Sequence, residues 1–318
     1  MLTYVLFAIG FFILIKGADL LVDGASSIAR KFKISPLVIG LTIVAFGTSA
    51  PELAVNIFAS AAGNSDIAIG NILGSNIANI LLILGISAAI YPLTSKKSTV
   101  WKEIPLCLLA ALVVGAMAND ALIDKVGFSG LSRIDGFVLL SFFAIFLYYT
   151  FSIAKSGRSS DEPDIKEMSL KKAVLFIVIG LAGLVLGGQW IIDGAVKIAE
   201  HFGISQSLIG LTIVAIGTSL PELATSAIAA YKKQTDIAIG NVVGSNIFNI
   251  FWILGLSSLI RPLPFNPGNN IDLMVVIVAT TILFLIMFLG KKRVIERWQG
   301  IAMFVIYIAY TAYLIVTR

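Results

Sequence analysis

The chain has 318 residues, 58% of them hydrophobic and only 13% charged, with a mean hydropathy of +0.97. A soluble domain carries about a quarter of charged residues, so the main solvent of this chain is lipid. One cysteine, Cys107, excludes a disulfide framework and the usual cysteine zinc sites, and the net charge of +5 reads as basic loops beside a membrane rather than a nucleic-acid surface.

A membrane-spanning helix needs about 20 mostly apolar residues. Ten such runs follow one another, at 2–28, 36–62, 66–91, 103–119, 133–154, 170–198, 207–231, 236–260, 271–290 and 298–316. The first lacks a basic start and a small-residue cleavage site and matches a later run, so it reads as a span rather than a signal peptide. Cys107 sits in the fourth as a small packed hydrophobe. The polar stretch from Lys155 to Lys172, with Ser156-Gly157-Arg158-Ser159-Ser160-Asp161-Glu162-Pro163, reads as a flexible linker. His201, the single histidine, falls in a loop at the surface, and Asp66 and Asp236 read as helix N-caps. With the N-terminus outside, 17 of the 23 Lys and Arg fall on the cytoplasmic side and five on the other. That bias places both termini outside the cytoplasm.

The sequence repeats itself. Residues 39–80 and 209–250 align without a gap at about two-thirds identity. The match extends upstream, where Asp23-Gly24-Ala25 answers Asp193-Gly194-Ala195, and weakly downstream, where Asp135-Gly136 resembles Gln299-Gly300. Each repeat holds five spans. Five is odd, so the second repeat enters the membrane from the opposite face. The expected fold is an all-α membrane protein of ten transmembrane helices in two inverted five-helix repeats, residues 1–154 and 170–318, joined by a cytoplasmic linker at 155–169. Inverted repeats mark many secondary transporters, whose site lies at mid-membrane between the halves.

Polar residues concentrate in two places in each repeat. Gly47-Thr48-Ser49-Ala50-Pro51-Glu52 is answered by Gly217-Thr218-Ser219-Leu220-Pro221-Glu222. Gly70-Asn71-Ile72-Leu73-Gly74-Ser75-Asn76-Ile77-Ala78-Asn79 is answered by Gly240-Asn241-Val242-Val243-Gly244-Ser245-Asn246-Ile247-Phe248-Asn249. A charge at the bilayer centre costs about 2.5–3.5 kcal/mol on insertion scales. Glu52 and Glu222 lie midway along their spans with no Lys or Arg at an equivalent depth, so they hold protons or bind cations. Thr48, Ser49 and Glu52 can share one helix face, as can Ser75 and Asn79. Hydroxyl, amide and carboxylate oxygens are hard ligands, suited to calcium and sodium. Pro51 and Pro221 cannot donate to the carbonyls of Gly47 and Gly217, so each helix should kink or break there and free a carbonyl for the site. Gly70 and Gly74, with Gly240 and Gly244, should give close helix packing.

GTSxPE followed by GNxxGSNIxN, twice across an inverted repeat, resembles the alpha repeats of the cation/calcium exchanger superfamily, in its prokaryotic sodium/calcium exchanger type. The resemblance covers all ten spans. It implies an electrogenic antiporter, not an enzyme, exchanging one Ca2+ for three Na+ by alternating access, with no cofactor. It also implies the ligands: Glu52 and Glu222 at the centre, with Thr48, Ser49, Thr218, Ser219, Ser75, Ser245, Asn79 and Asn249, and the carbonyls of Ala45 and Ala215. The first and sixth spans, carrying Gly17, Gly24 and Gly194, would be sliding gate helices. Some members, including the potassium-dependent ones, have an aspartate at the position of Asn249; here both amides are neutral, so the site holds two formal negative charges and the case for potassium co-transport weakens. The expected partners are the lipid bilayer of the cell membrane, Ca2+ and Na+.

Two carboxylates could equally accept two protons, so a proton-coupled antiporter of calcium or another divalent cation is the alternative. A membrane-embedded hydrolase fits less well, because an acid and a base in unlike roles would break the symmetry of the two motifs. A channel would pass current without exchange. No Gly-x-x-x-x-Gly-Lys-Ser/Thr loop is present, so an ATP-driven pump is not expected.

Overall fold

The computed structural model describes residues 2–125, 127–156, 168–202 and 215–317. Most of the expected linker, residues 157–167, lies outside them. So do residues 203–214, which include the start of the seventh expected span and of the aligned stretch 209–250.

The apolar runs form helices. These are α1 (Leu2–Phe32), α2 (Pro36–Thr48), α3 (Ala50–Ala62), α4 (Ser65–Ile90), α5 (Thr99–Met117), α6 (Arg133–Ser156), α7 (Leu170–His201), α8 (Ala215–Thr218), α9 (Leu220–Tyr231), α10 (Thr235–Ile260), α11 (Asn269–Ile286) and α12 (Arg297–Thr317). Eight are long and apolar enough to cross a membrane alone, and the bent pair α2–α3 makes a ninth span among the described residues. The chain is an all-α membrane protein, and ten spans are compatible with it.

α4 and α10 are the most enclosed of the spans and α6 and α12 the least. The polar motifs therefore sit at the centre of the bundle, away from lipid. α1 and α7, of 31 and 32 residues, pack along each other's length. At 1.5 Å per residue they reach about 46–48 Å, well beyond a bilayer core of about 30 Å. Their seam runs on glycine. A Cβ on Gly10 would lie 2.9 Å from the Gly187 carbonyl oxygen, one on Gly17 2.8 Å from that of Gly180, and one on Gly24 2.7 Å from that of Ala173. The spacing of seven residues on both helices keeps this small-residue stripe on one face.

The second half repeats the first. α4 and α10 start 170 residues apart, and each passes through a π-helical stretch, Ala78–Ile83 and Phe248–Leu254. Helix crossings exchange partners in the same way. A Cβ on Gly136 of α6 would lie 2.8 Å from the Gly255 carbonyl oxygen of α10, and one on Gly300 of α12 would lie 2.6 Å from that of Gly85 of α4. This gives physical content to the weak match of Asp135-Gly136 with Gln299-Gly300. Two-residue strands do the same at the helix ends. β1 (Leu93–Thr94) pairs antiparallel with β4 (Val294–Ile295), and β2 (Gly130–Leu131) with β3 (Leu263–Pro264).

Some local expectations are corrected. The N-cap of α4 is Asn64, whose side chain accepts from the Ile67 amide at 3.2 Å, and that of α10 is Gln234. Asp66 and Asp236 lie inside the first turns instead, where they face the positive helix end, and Asp236 pairs with Lys96 at 2.8 Å. His201 is exposed but is the last residue of α7 rather than part of a loop. Cys107 is buried, as its apolar surroundings suggested. Gly240 and Gly244 do pack closely, their added Cβ atoms meeting the Leu37 carbonyl at 2.8 Å and the Leu41 Cα at 2.9 Å. No described atom comes that near Gly70 or Gly74, whose matching partners, residues 207 and 211, lie outside the described segments.

Candidate functional site

The helix break expected at the prolines is present in both repeats. Ser49 (φ −80°, ψ 8°) interrupts α2 and α3, which bend by 47°, and Ser219 (φ −89°, ψ 6°) interrupts α8 and α9. Pro51 and Pro221 fall in the first turns of the new helices, where a missing amide hydrogen costs nothing. Glu52 and Glu222 lie in the same first turns, so each carboxylate sits at the positive end of a helix dipole. Both are 1% exposed, and among the described residues neither makes an ion pair.

The side chains from the two breaks then cross. Ser49 donates to Oε1 of Glu222 at 2.9 Å, and Ser219 donates to Oε1 of Glu52 at 3.1 Å. The enclosed helices complete the ring: Ser75 donates to Glu52 and Ser245 to Glu222, both at 3.4 Å. Ser219 also reaches Ser75 at 3.1 Å. Eleven of the twelve residues expected in the site, Glu52, Glu222, Thr48, Ser49, Thr218, Ser219, Ser75, Ser245, Asn79, Asn249 and Ala45, are buried.

The two backbone carbonyls differ. That of Ala45 accepts from the Ser49 amide at 3.0 Å and the Thr48 hydroxyl at 3.4 Å, so it is engaged within its helix here. Ala215 begins α8 at the edge of the described residues, and Ser219 donates its amide to Ile216 instead.

Four motif residues that the sequence did not single out as site members turn out to hold it. Asn241 accepts from the Thr48 hydroxyl at 3.0 Å, and Asn71 accepts from that of Thr218 at 3.3 Å. Their amide groups point onward, Asn71 to Asn56 at 2.8 Å and Asn241 to Ser226 at 2.9 Å. Asn246 accepts from Asn79 and Asn76 from Asn249, each at 2.9 Å. The signal was present: each of the four recurs unchanged in the other copy of the motif.

The hydroxyls and the amide NH2 groups of these side chains are thus each engaged by a partner, and oxygens are left over. Oε2 of Glu52, Oε2 of Glu222, Oδ1 of Asn79 and Oδ1 of Asn249 are buried without a hydrogen-bond partner. A buried acceptor left unpaired costs about 1–3 kcal/mol, more if charged. These four are related in pairs by the repeat, and unpartnered oxygens of this kind are what a bound cation would satisfy. Among the described residues no cluster of three or more His, Cys, Asp or Glu exists, so the oxygens beside the two carboxylates come from amides and hydroxyls. That donor set is hard and suits calcium or sodium.

Comparison with known proteins agrees. The family model described as "Sodium/calcium exchanger protein" matches residues 2–152 and 172–316. The sodium/calcium exchanger MaX1 of Methanosarcina acetivorans is 34% identical over 97% of both chains. The inner membrane protein YrbG of Escherichia coli (strain K12) is 38% identical over 84% of this chain and 82% of its own. A structure of the sodium-calcium exchanger NCX_Mj, soaked with 2.5 mM Na+ and 0.1 mM Ca2+, superposes with a TM-score of 0.83 at 37% identity, covering 98% of each chain. With a family model spanning nearly its whole length, this chain is a member of the sodium/calcium exchanger family.

Proposed function

We propose that the protein is a secondary-active antiporter that exchanges one Ca2+ for three Na+ at a single mid-membrane site. The observation that carries the reading is the set of four buried, unpartnered oxygens on Glu52, Glu222, Asn79 and Asn249. Cations satisfy them where no protein donor does. Around them, the hydroxyls of Thr48, Ser49, Thr218, Ser219, Ser75 and Ser245 complete the ligand set, and the Ala45 and Ala215 carbonyls join when the helix ends adjust.

Charge then dictates exchange. Two carboxylates are neutralised by one Ca2+ or by two Na+, and a third Na+ rests on amide and hydroxyl dipoles. The same oxygens serve both ions, so one displaces the other. An empty, doubly negative site resists crossing because uncompensated charge in hydrocarbon costs several kcal/mol. Only occupied states let the halves, residues 1–154 and 170–318, rearrange and open the site to the other face. Three positive charges against two make the cycle electrogenic.

For orientation, both termini lie outside the cytoplasm of a cell or inner membrane. The loops joined by β1 and β4 carry Lys96, Lys97, Lys291, Lys292 and Arg293, whereas those joined by β2 and β3 carry Lys125, Arg133 and Arg261. Each pairing ties together loops that ten spans put on one side, and the more basic side is cytoplasmic.

The test uses purified protein in sealed liposomes loaded with sodium and diluted into sodium-free buffer containing radioactive calcium. Calcium should enter only when the sodium gradient is present. Uptake driven by a pH gradient alone would move the protein to proton-coupled exchange, with Glu52 and Glu222 as proton carriers.

A further inference from the structure

Asn76 and Asn246 lie side by side between the repeats and are fully buried. Each donates its side-chain amide to the backbone carbonyl of the other, at 3.4 Å in both directions. That fixes which way each amide faces. With its NH2 turned to the Asn76 carbonyl, Asn246 faces its other neighbour, Asn79, with Oδ1. Asn79 must then turn its own NH2 towards Asn246, and does so at 2.9 Å. Its Oδ1 is what remains, unpartnered. The mirror chain runs from Asn246 through Asn76 to Asn249 with the same 2.9 Å bond and the same unpartnered Oδ1.

We propose that Asn76 and Asn246 are positioning residues of the transport site, each orienting the amide of the opposite repeat so that an oxygen, never an NH2 group, faces the cation. This rests on the proposed ligand set, in which Asn79 and Asn249 touch the ion. An amide is ambivalent, donor at one end and acceptor at the other, and a free amide could present either. A carboxylate would face the ion with oxygen whichever way it turned. A neutral amide ligand therefore needs a second layer to fix its polarity, much as outer-shell partners fix the orientation of metal-binding histidines. Because Asn76 serves Asn249 and Asn246 serves Asn79, each half sets the polarity of the other's ligand.

The experiment measures the half-saturating calcium concentration of sodium-driven uptake in liposomes for Asn246→Leu, Asn246→Asp, Asn79→Ala and the Asn246→Leu/Asn79→Ala double variant. Leucine removes the acceptor that Asn79 needs. Aspartate keeps that acceptor and replaces the NH2 group facing the Asn76 carbonyl with a second carboxyl oxygen. Asn246→Leu and Asn79→Ala should each raise the half-saturating concentration by roughly 10–100-fold, the range found for outer-shell partners. Asn246→Asp should stay within a few-fold of wild type, and the double variant should be no worse than the worse single. If Asn246→Asp is as damaging as Asn246→Leu, or the two single effects multiply in the double, Asn246 is a structural clasp and the inference is overturned while the ligand set stands. An unchanged half-saturating concentration in Asn79→Ala overturns the ligand set itself. Asn76→Leu, Asn76→Asp and Asn249→Ala repeat the test on the other arm should Asn246→Leu fail to fold.

Discussion

Ser49 donates its hydroxyl to Glu222 at 2.9 Å, from the helix break of one repeat to the carboxylate of the other, 173 residues away. Ser219 and Glu52 make the matching bond at 3.1 Å. Each glutamate thus accepts from a serine of the other repeat at a shorter distance than from the serine of its own, at 3.4 Å.

Replacing either carboxylate should stop transport. Glu52→Gln and Glu222→Gln each remove a charge and insert an NH2 donor where unpartnered acceptors gather. Sodium-driven radiocalcium uptake should fall to background in both variants. Wild-type-like flux in either would remove that glutamate from the centre.

Loss of the crossing hydroxyls should be graded and symmetric. A hydrogen bond to a charged group is worth about 1.5–3 kcal/mol. Ser49→Ala and Ser219→Ala should therefore raise the half-saturating calcium concentration by roughly tenfold or more, and by similar factors. A normal value in one variant and a large rise in the other would show that the two bonds are not equivalent in the working protein.

A third carboxylate should change the ion count. Asn249→Asp adds a negative charge beside an oxygen that is now unpartnered. Comparing current with calcium flux should reveal an altered charge per cycle or an altered cation preference. Unchanged values for both would exclude position 249 from the ion path.

The glycine seam offers a test of packing alone. A Cβ on Gly187 would lie 2.8 Å from the Gly10 oxygen and the Leu14 nitrogen, whereas one on the adjacent Gly188 would meet only Pro221 carbons at 4.0 Å. Overpacking of this kind costs typically about 1–3 kcal/mol. Thermal unfolding in detergent should show Gly187→Ala destabilised and Gly188→Ala close to wild type. Equal stability of the two would mean that α1 and α7 yield at no cost.

The residues of the candidate site were legible because charge in a lipid-dissolved chain is costly, so Glu52 and Glu222 stand out without any knowledge of the fold. The helix breaks were legible because Pro51 and Pro221 remove a backbone donor. What the sequence could not convey is who bonds to whom. Spacing along one helix puts Thr48, Ser49 and Glu52 on one face, but Ser49 serves Glu222 and Thr48 serves Asn241. Asp19 and Asp23 had no evident role; both meet Lys232 at 2.6 Å, tying α1 to the end of α9. The repeat does not signal that contact, since Ala62 stands at the place matching Lys232. Asp66 and Asp236 resembled caps because acids favour helix starts, and only the geometry shows that the chain enters each helix two residues earlier.

The exchanged pairings have a consequence for assembly. β1 needs β4, β2 needs β3, α4 closes on α12 and α10 on α6, so what one half leaves open the other fills. The molecule is in effect a dimer whose subunits happen to share one polypeptide. Two separately translated fragments, cut between Ser156 and Met168, should find each other in the membrane and reconstitute the fold, while either fragment alone should be cleared as unfinished protein.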